Sequence, residues 1–258
     1  MELKIFSLFD NLEVEKIKNL FKTEYPWEPL KILKNYLLEL IPDLPKKIPL
    51  REPLSKSLFL TLEGEILLLN EIEIIENEFY FKGEKIEGAI LYAGAILMNS
   101  KIFFEKNVIV EPFAMVSGPA YFSEGTQIRQ GAYIRGSVYT GKNAVIGHTT
   151  EVKNSIFFTS AKAAHFAYVG DSILGKDVNL GAGTKLANLK FTKKEIFFEI
   201  NGERISTGLK KLGAILGDNC QTGCNSVLQP GTILGKGSFV LPGKVAGPGI
   251  LHPKTIIK

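Results

Sequence analysis

Cysteine is nearly absent from this 258-residue chain, with Cys220 and Cys224 its whole complement. Two thiols cannot build a disulfide framework, and a zinc site needs more ligands than they offer. Histidine is as scarce: His148, His165 and His252. The longest apolar run, about residues 89–98, falls well short of the roughly 20 residues a membrane span requires. Residues 1–15 carry acids early and have no apolar stretch of signal-peptide type. The cytoplasm is therefore the expected compartment, with no membrane partner. A formal charge of +4 is mild, and no dense Lys/Arg tract is interleaved with aromatics, which argues against nucleic acid. Glycine is missing from the first part of the chain, where only Gly64 precedes residue 80.

What is present is a period of six. Val110, Val116, Phe122, Ile128, Ile134, Thr140, Ile146, Val152, Phe158 and Ala164 share one frame. After a slip it resumes at Leu174, Leu180 and Leu186, and again from Leu216 to Ala246. The residue two before each is mostly small (Ala114, Thr126, Ala132, Ala144, Thr184, Cys220), and Gly often follows, as at Gly147, Gly181 and Gly223. Neither a helix nor simple alternation has this period. A prism of short parallel strands does: three six-residue sides close a triangular coil, and coils stack at roughly 4.8 Å. The aliphatic residue is expected inside, the small residue at the corner, and Gly where positive φ is needed. The predicted fold is mainly β, a left-handed parallel β-helix of hexapeptide repeats over residues 87–258.

Residues 1–86 read as a small α+β N-terminal domain of unknown role, packed on or near the first coils. Apolar spacing suggests helices over Leu12–Lys22 and Leu30–Ile41, the second stopped by Pro42, and strands follow between Ser57 and Phe81. The repeat breaks once, at about 189–213. There Asn201-Gly202 between two strand-like runs predicts a hairpin with a type I′ turn. A long loop on a stiff solenoid is more often functional than ornamental, although a solvated excursion is the plain alternative.

A prism interior is filled, so chemistry must sit on its outer faces, and packing of three chains is the natural way to make clefts. His165 lies where the frame slips, within Lys162-Ala-Ala-His-Phe-Ala-Tyr-Val-Gly-Asp171. A lone His is more often structural than catalytic. Residues 146–188, with this segment and the later Asn-Leu-Gly-Ala-Gly-Thr, resemble the acetyltransferase half of the bacterial bifunctional glucosamine-1-phosphate acetyltransferase/N-acetylglucosamine-1-phosphate uridyltransferases. Further along, Asn-Leu-Lys-Phe, the hairpin, Ser-Thr-Gly-Leu-Lys-Lys-Leu-Gly-Ala and Ile-Leu-Gly-Asp-Asn-Cys-Gln-Thr-Gly are similar to the archaeal sugar-1-phosphate nucleotidylyltransferase/acetyltransferases. The likeness spans about residues 110–245.

The resemblance implies an acetyl-CoA-dependent N-acetyltransferase acting on an amino-sugar 1-phosphate, glucosamine 1-phosphate first among them, in a homotrimer without a metal. His165 matches the general base, a task suited to imidazole. Arg135 and Lys153 match the phosphate-binding pair, and Tyr168, Asn179 and Asn188 the substrate contacts. Lys194 and Lys211 match loop lysines. Ala182, Cys224 and Pro242 fall along the acetyl-CoA groove, the last two where the bacterial enzymes usually carry Ser and Ala. Phe197 stands where archaeal relatives can have a second loop lysine. No Gly-x-Gly-Thr-Arg signature precedes the prism, so uridyl transfer and its Mg²⁺ are expected to be absent. Other readings stay open: an acyltransferase on a nucleotide-linked amino sugar, or a prism kept as a sugar-phosphate sensor or scaffold. A zinc lyase of the γ-carbonic-anhydrase type is disfavoured, because His148 and His165 stand too far apart in sequence and His252 is remote.

Overall fold

Short strands recur at the expected spacing and stack coil upon coil in a computed structural model that describes residues 5–10, 12–76 and 78–258. Among the described residues the long sheets have eleven, eight and eight strands, and every neighbouring pair between coils is parallel. The first sheet carries Val145–His148, Lys162–His165, Asn179–Leu180 and Gln221–Thr222. The second carries Tyr133–Arg135, Glu151–Lys153, Tyr168–Gly170 and Lys185–Leu186. The third carries Val138–Thr140, Ser155–Phe157, Ile173–Leu174 and Ala214–Leu216. Inward residues such as Val116, Ile134, Val152, Leu186 and Leu228 are fully buried in one continuous core. Each coil covers the apolar side of the next, as stacked repeats require.

The interior frame departs from the sequence reading at two residues. Phe157 and Ala163, not Phe158 and Ala164, face inward: Phe157 pairs with Thr140 and Leu174, and Ala163 with Ile146 and Leu180. Phe158 instead joins the cluster outside the third sheet. The slip is thus two separate losses of one residue, in the sides Val152 to Phe157 and Val169 to Leu174. Both occur at the corner from the second sheet to the third. The full-length corner before them turns through two left-handed residues, Gly136 (φ 90°) and Ser137 (φ 54°). The short corners turn through one each, Asn154 (φ 44°) and Asp171 (φ 47°). Asn and Asp accept that conformation more readily than most residues.

The glycines that follow inward residues also serve a different end from the one expected. Gly147, Gly181 and Gly223 are absent from the positive-φ set, which falls two residues later at Thr149, Gly183 and Asn225. Close approach is what requires them. A Cβ on Gly147 would lie 1.7 Å from the Ala164 carbonyl oxygen, and one on Gly223 would lie 2.4 Å from the Pro242 nitrogen.

The N-terminal residues attach in two places. Strands Leu58–Thr61 and Ile66–Leu68 extend the first sheet antiparallel above Gly88–Leu91, and three further strands between Glu73 and Ile86 pack there. The helix Glu28–Leu40 buries Pro29, Leu30, Leu33 and Leu37 along the outside of the third sheet. Helical spacing at 12–22 resolves into two 3-10 turns, Leu12–Val14 and Lys18–Phe21. Between them Glu15 turns into the prism face, accepting from the Tyr139 hydroxyl (2.8 Å) and from the Thr159 amide and hydroxyl (2.9 and 2.8 Å). Those three bonds hold the buried carboxylate, which a continuous helix would have carried past.

The hairpin pairs Phe197–Ile200 with Glu203–Ser206 around Asn201 (φ 53°) and Gly202 (φ 83°), as a type I′ turn demands. It does not stand free. Ile196 and Phe198 are buried against the N-terminal segment, where Trp27 stacks between Tyr25 (4.7 Å) and Phe198 (4.8 Å).

Candidate functional site

With the third sheet covered, the chemistry-bearing residues gather on the second sheet and at its corner with the first. His165 ends its strand at that corner, in register with His148 one coil earlier, and both rings are exposed. The main-chain ladder continues the column. The His165 carbonyl accepts from Gly183, the Ala182 carbonyl from Asn225 and the Cys224 carbonyl from Gly243. His148, His165, Ala182, Cys224 and Pro242 therefore occupy one position on successive coils. Just before them run Gly147, Ala164, Gly181, Gly223 and Leu241; at the three glycines the next coil approaches too closely for a Cβ, and Leu241 is exposed. Three residues separated in sequence by up to 60 positions (242 − 182) thus line one track away from the imidazole.

On the second sheet Arg135 and Lys153 follow Ile134 and Val152, which face one another. Two cations therefore sit on neighbouring strands, and each holds its own acid. Arg135 Nη1 lies 2.7 Å from Glu151, which raises the guanidinium above its ordinary pKa. Lys153 Nζ lies 3.2 and 3.3 Å from the two Asp171 oxygens. Asp171 also accepts from Asn154 (2.9 Å) and Asn188 (2.5 Å) and is only 5% exposed. The quartet has no net charge, so an incoming anion must loosen one pair. Arg135–Glu151 is the more exposed and opens easily, since such pairs contribute about 0–1 kcal/mol. Tyr168 lies beside the group, on the strand opposite Glu151, and its phenol is pushed upward by burial first and then by Glu151 and Asp171. A Cβ on Gly170 would meet the Tyr168 hydroxyl at 2.6 Å and the Asn188 amide at 2.7 Å, so these groups share one small space.

The remaining residues named from sequence divide. Asn188 joins the cluster directly. Lys211 is carried close to it, because Leu189 bridges Lys211 and the Leu212 amide donates to the Asn188 carbonyl (3.0 Å). Asn179 lies round the corner on the first sheet, opposite Lys162 and Gln221. Lys194 lines a separate cleft of about 450 Å³ under the hairpin, with Lys190, Phe197 and Arg204. Cys224 is exposed in the column, whereas Cys220 is buried at a corner, where burial pushes its thiol up to about 11. Among the described residues no group of three or more metal-ligating side chains is assembled.

Sequence reasoning gave no role to Glu151, Asp171 or Phe166. Asp171 stands in the quoted Tyr-x-Gly-Asp segment and could have been found there. Glu151 has no signal beyond standing two residues before Lys153.

Residues 116–235 match the family model described as the GMPPB C-terminal domain. A bifunctional sugar-1-phosphate nucleotidylyltransferase/acetyltransferase of Sulfurisphaera tokodaii is 45% identical over 100 residues, 39% of this chain and 25% of that protein. The bifunctional protein GlmU of Methanocaldococcus jannaschii is 38% identical over 99 residues, 38% of this chain and 24% of that protein. A Francisella novicida UDP-N-acetylglucosamine acyltransferase structure aligns over 64% of this chain and 63% of its own, at 15% identity and a TM-score of 0.40. The matched stretch is about a quarter of the length of the curated relatives. Over residues 116–235 this chain is similar to the GMPPB C-terminal domain, and over about 100 residues it is similar to part of a bifunctional sugar-1-phosphate nucleotidylyltransferase/acetyltransferase.

Proposed function

We propose that the chain is an acyltransferase that moves an acetyl group from acetyl-CoA to the amine of an amino-sugar 1-phosphate, glucosamine 1-phosphate being the first acceptor to test. One observation carries the reading. The exposed imidazole of His165 stands at the corner between the Arg135/Lys153 pair of the second sheet and the column of Ala182, Cys224 and Pro242. The pair suits a phosphate, with a planar fork and a point charge on adjacent strands. The track suits a long, thin thioester donor, with Ala182, Cys224 and Pro242 along it.

In this reaction His165 takes a proton from the acceptor nitrogen as that nitrogen attacks the thioester carbonyl. The C–N bond forms, the C–S bond breaks, and the proton leaves with the CoA thiolate. Imidazole titrates near neutral pH, and general-base help is typically worth about 10²–10⁴-fold. Tyr168 and Asn188 border the place where the sugar would lie. The reading includes a homotrimer, in which a second copy of the chain would close the pocket beside Asn179.

Thiol release from acetyl-CoA on a panel of amino sugars and their phosphates tests the proposal. Glucosamine 1-phosphate should be turned over by the wild type and His165→Ala should lose about 10²–10⁴-fold. Equal background rates for both proteins on every acceptor would remove the reading. Thermal stabilisation by the sugar phosphate without turnover would favour the sensor instead.

A further inference from the structure

Phe166, directly after His165, adopts φ 34° with its ring half exposed (51%). The same corner in other coils is filled by Phe113, Gly131, Thr149, Gly183, Asn225 and Gly243. A bulky aromatic residue is disfavoured in this backbone region, and an exposed ring recovers little by burial. The ring has a definite place: a Cβ on Gly183 would lie 3.0 Å from Phe166 Cε2, so the aromatic edge overhangs the next coil beside Ala182. That is the first step of the track leading from His165, and the ring is the large apolar surface there.

We propose that Phe166 is a specificity-determining residue that sets the size of the acyl group. This rests on the acetyl-transfer reading of the same site. The ring occupies the space above Gly183 that a longer chain would need, leaving room beside His165 for a methyl group. Phe113 supplies an internal control. It has the same backbone conformation (φ 63°) and is more exposed (67%), but it stands three coils before His165 in the same corner series.

The test compares kcat/KM for acetyl-, propionyl- and butyryl-CoA with glucosamine 1-phosphate as acceptor, in the full chain and in Phe166→Gly, Phe166→Leu and Phe113→Gly. Phe166→Gly should shift the butyryl-to-acetyl ratio by about tenfold or more, since one methylene in an apolar pocket is worth about 10–200-fold. Phe166→Leu should fall between, and Phe113→Gly should leave the ratio alone. Both glycine variants should melt close to the parent, because glycine accepts positive φ. If Phe166→Gly turns over with an unchanged donor ratio, the inference fails while the reading stands; a changed KM for the sugar alone has the same meaning. A wild type that acetylates no acceptor removes both. Should Phe166→Gly not fold, Phe166→Leu decides by the same ratio.

Discussion

Replacing Asp171 by Ala tests whether the site and the fold share one buried carboxylate. Asp171 is 5% exposed and accepts from Lys153, Asn154 and Asn188. Removing one member of a buried pair costs about 3–5 kcal/mol, because the other charge is left without compensation. Lys153 keeps 27% of its side-chain surface exposed and can carry its ammonium toward water, which lowers that cost to about 2 kcal/mol. Alanine at φ 47° adds about 1 kcal/mol, since it lacks the tolerance of Asp for the left-handed region. A loss of about 3 kcal/mol corresponds to a fall in melting temperature of roughly 6–12 °C for a chain of this size. Asp171→Asn keeps the backbone preference and one acceptor oxygen, so it should fall by about half as much. Circular-dichroism melts of the three proteins measure both values. An Asp171→Ala protein melting within a degree of wild type would refute the network as a stabilising unit.

Further outcomes follow from close packing and burial. Gly147→Ala drives a Cβ to 1.7 Å from the Ala164 carbonyl and should cost more than about 3 kcal/mol. Gly243→Ala has open space and only its φ of 70° against it, so its melting temperature should drop by far less, about 1 kcal/mol in stability. Trp27→Ala removes a ring that is 1% exposed and stacked on both sides, and should cost about 3–5 kcal/mol in denaturant titrations. Burial raises the Asp218 carboxyl above its ordinary value, against the backbone amides of Asp10 and Lys176 that lower it. The folded state therefore holds this proton more tightly than the unfolded one. Its stabilising contribution is full below the unfolded pKa of about 3.9 and is lost as pH rises through the folded value. The melting temperature of wild type minus that of Asp218→Asn should thus be larger near pH 4 than near pH 7; an equal difference at both would contradict the assignment.

The hexad from Val110 to Val152 determined the prism by itself, because a six-residue period with one buried position fits three flat sides and little else. The residues that resemble an acetyltransferase site were legible too, in His165, Arg135, Lys153 and Asn188. What the sequence could not supply was phase and partnership. Phe157 and Phe158 are chemically identical, and only the turn at Asn154 decides which of them enters the core. Asp171 gains its importance from coils on either side, which bring residues 153, 154 and 188 within hydrogen-bond reach. The covering of the third sheet by Trp27 and the hairpin joins segments about 170 positions apart (198 − 27), and no local pattern encodes it. Local spacing determines which side chains alternate in and out. Tertiary packing decided which charges meet, because that depends on the length of every corner in between.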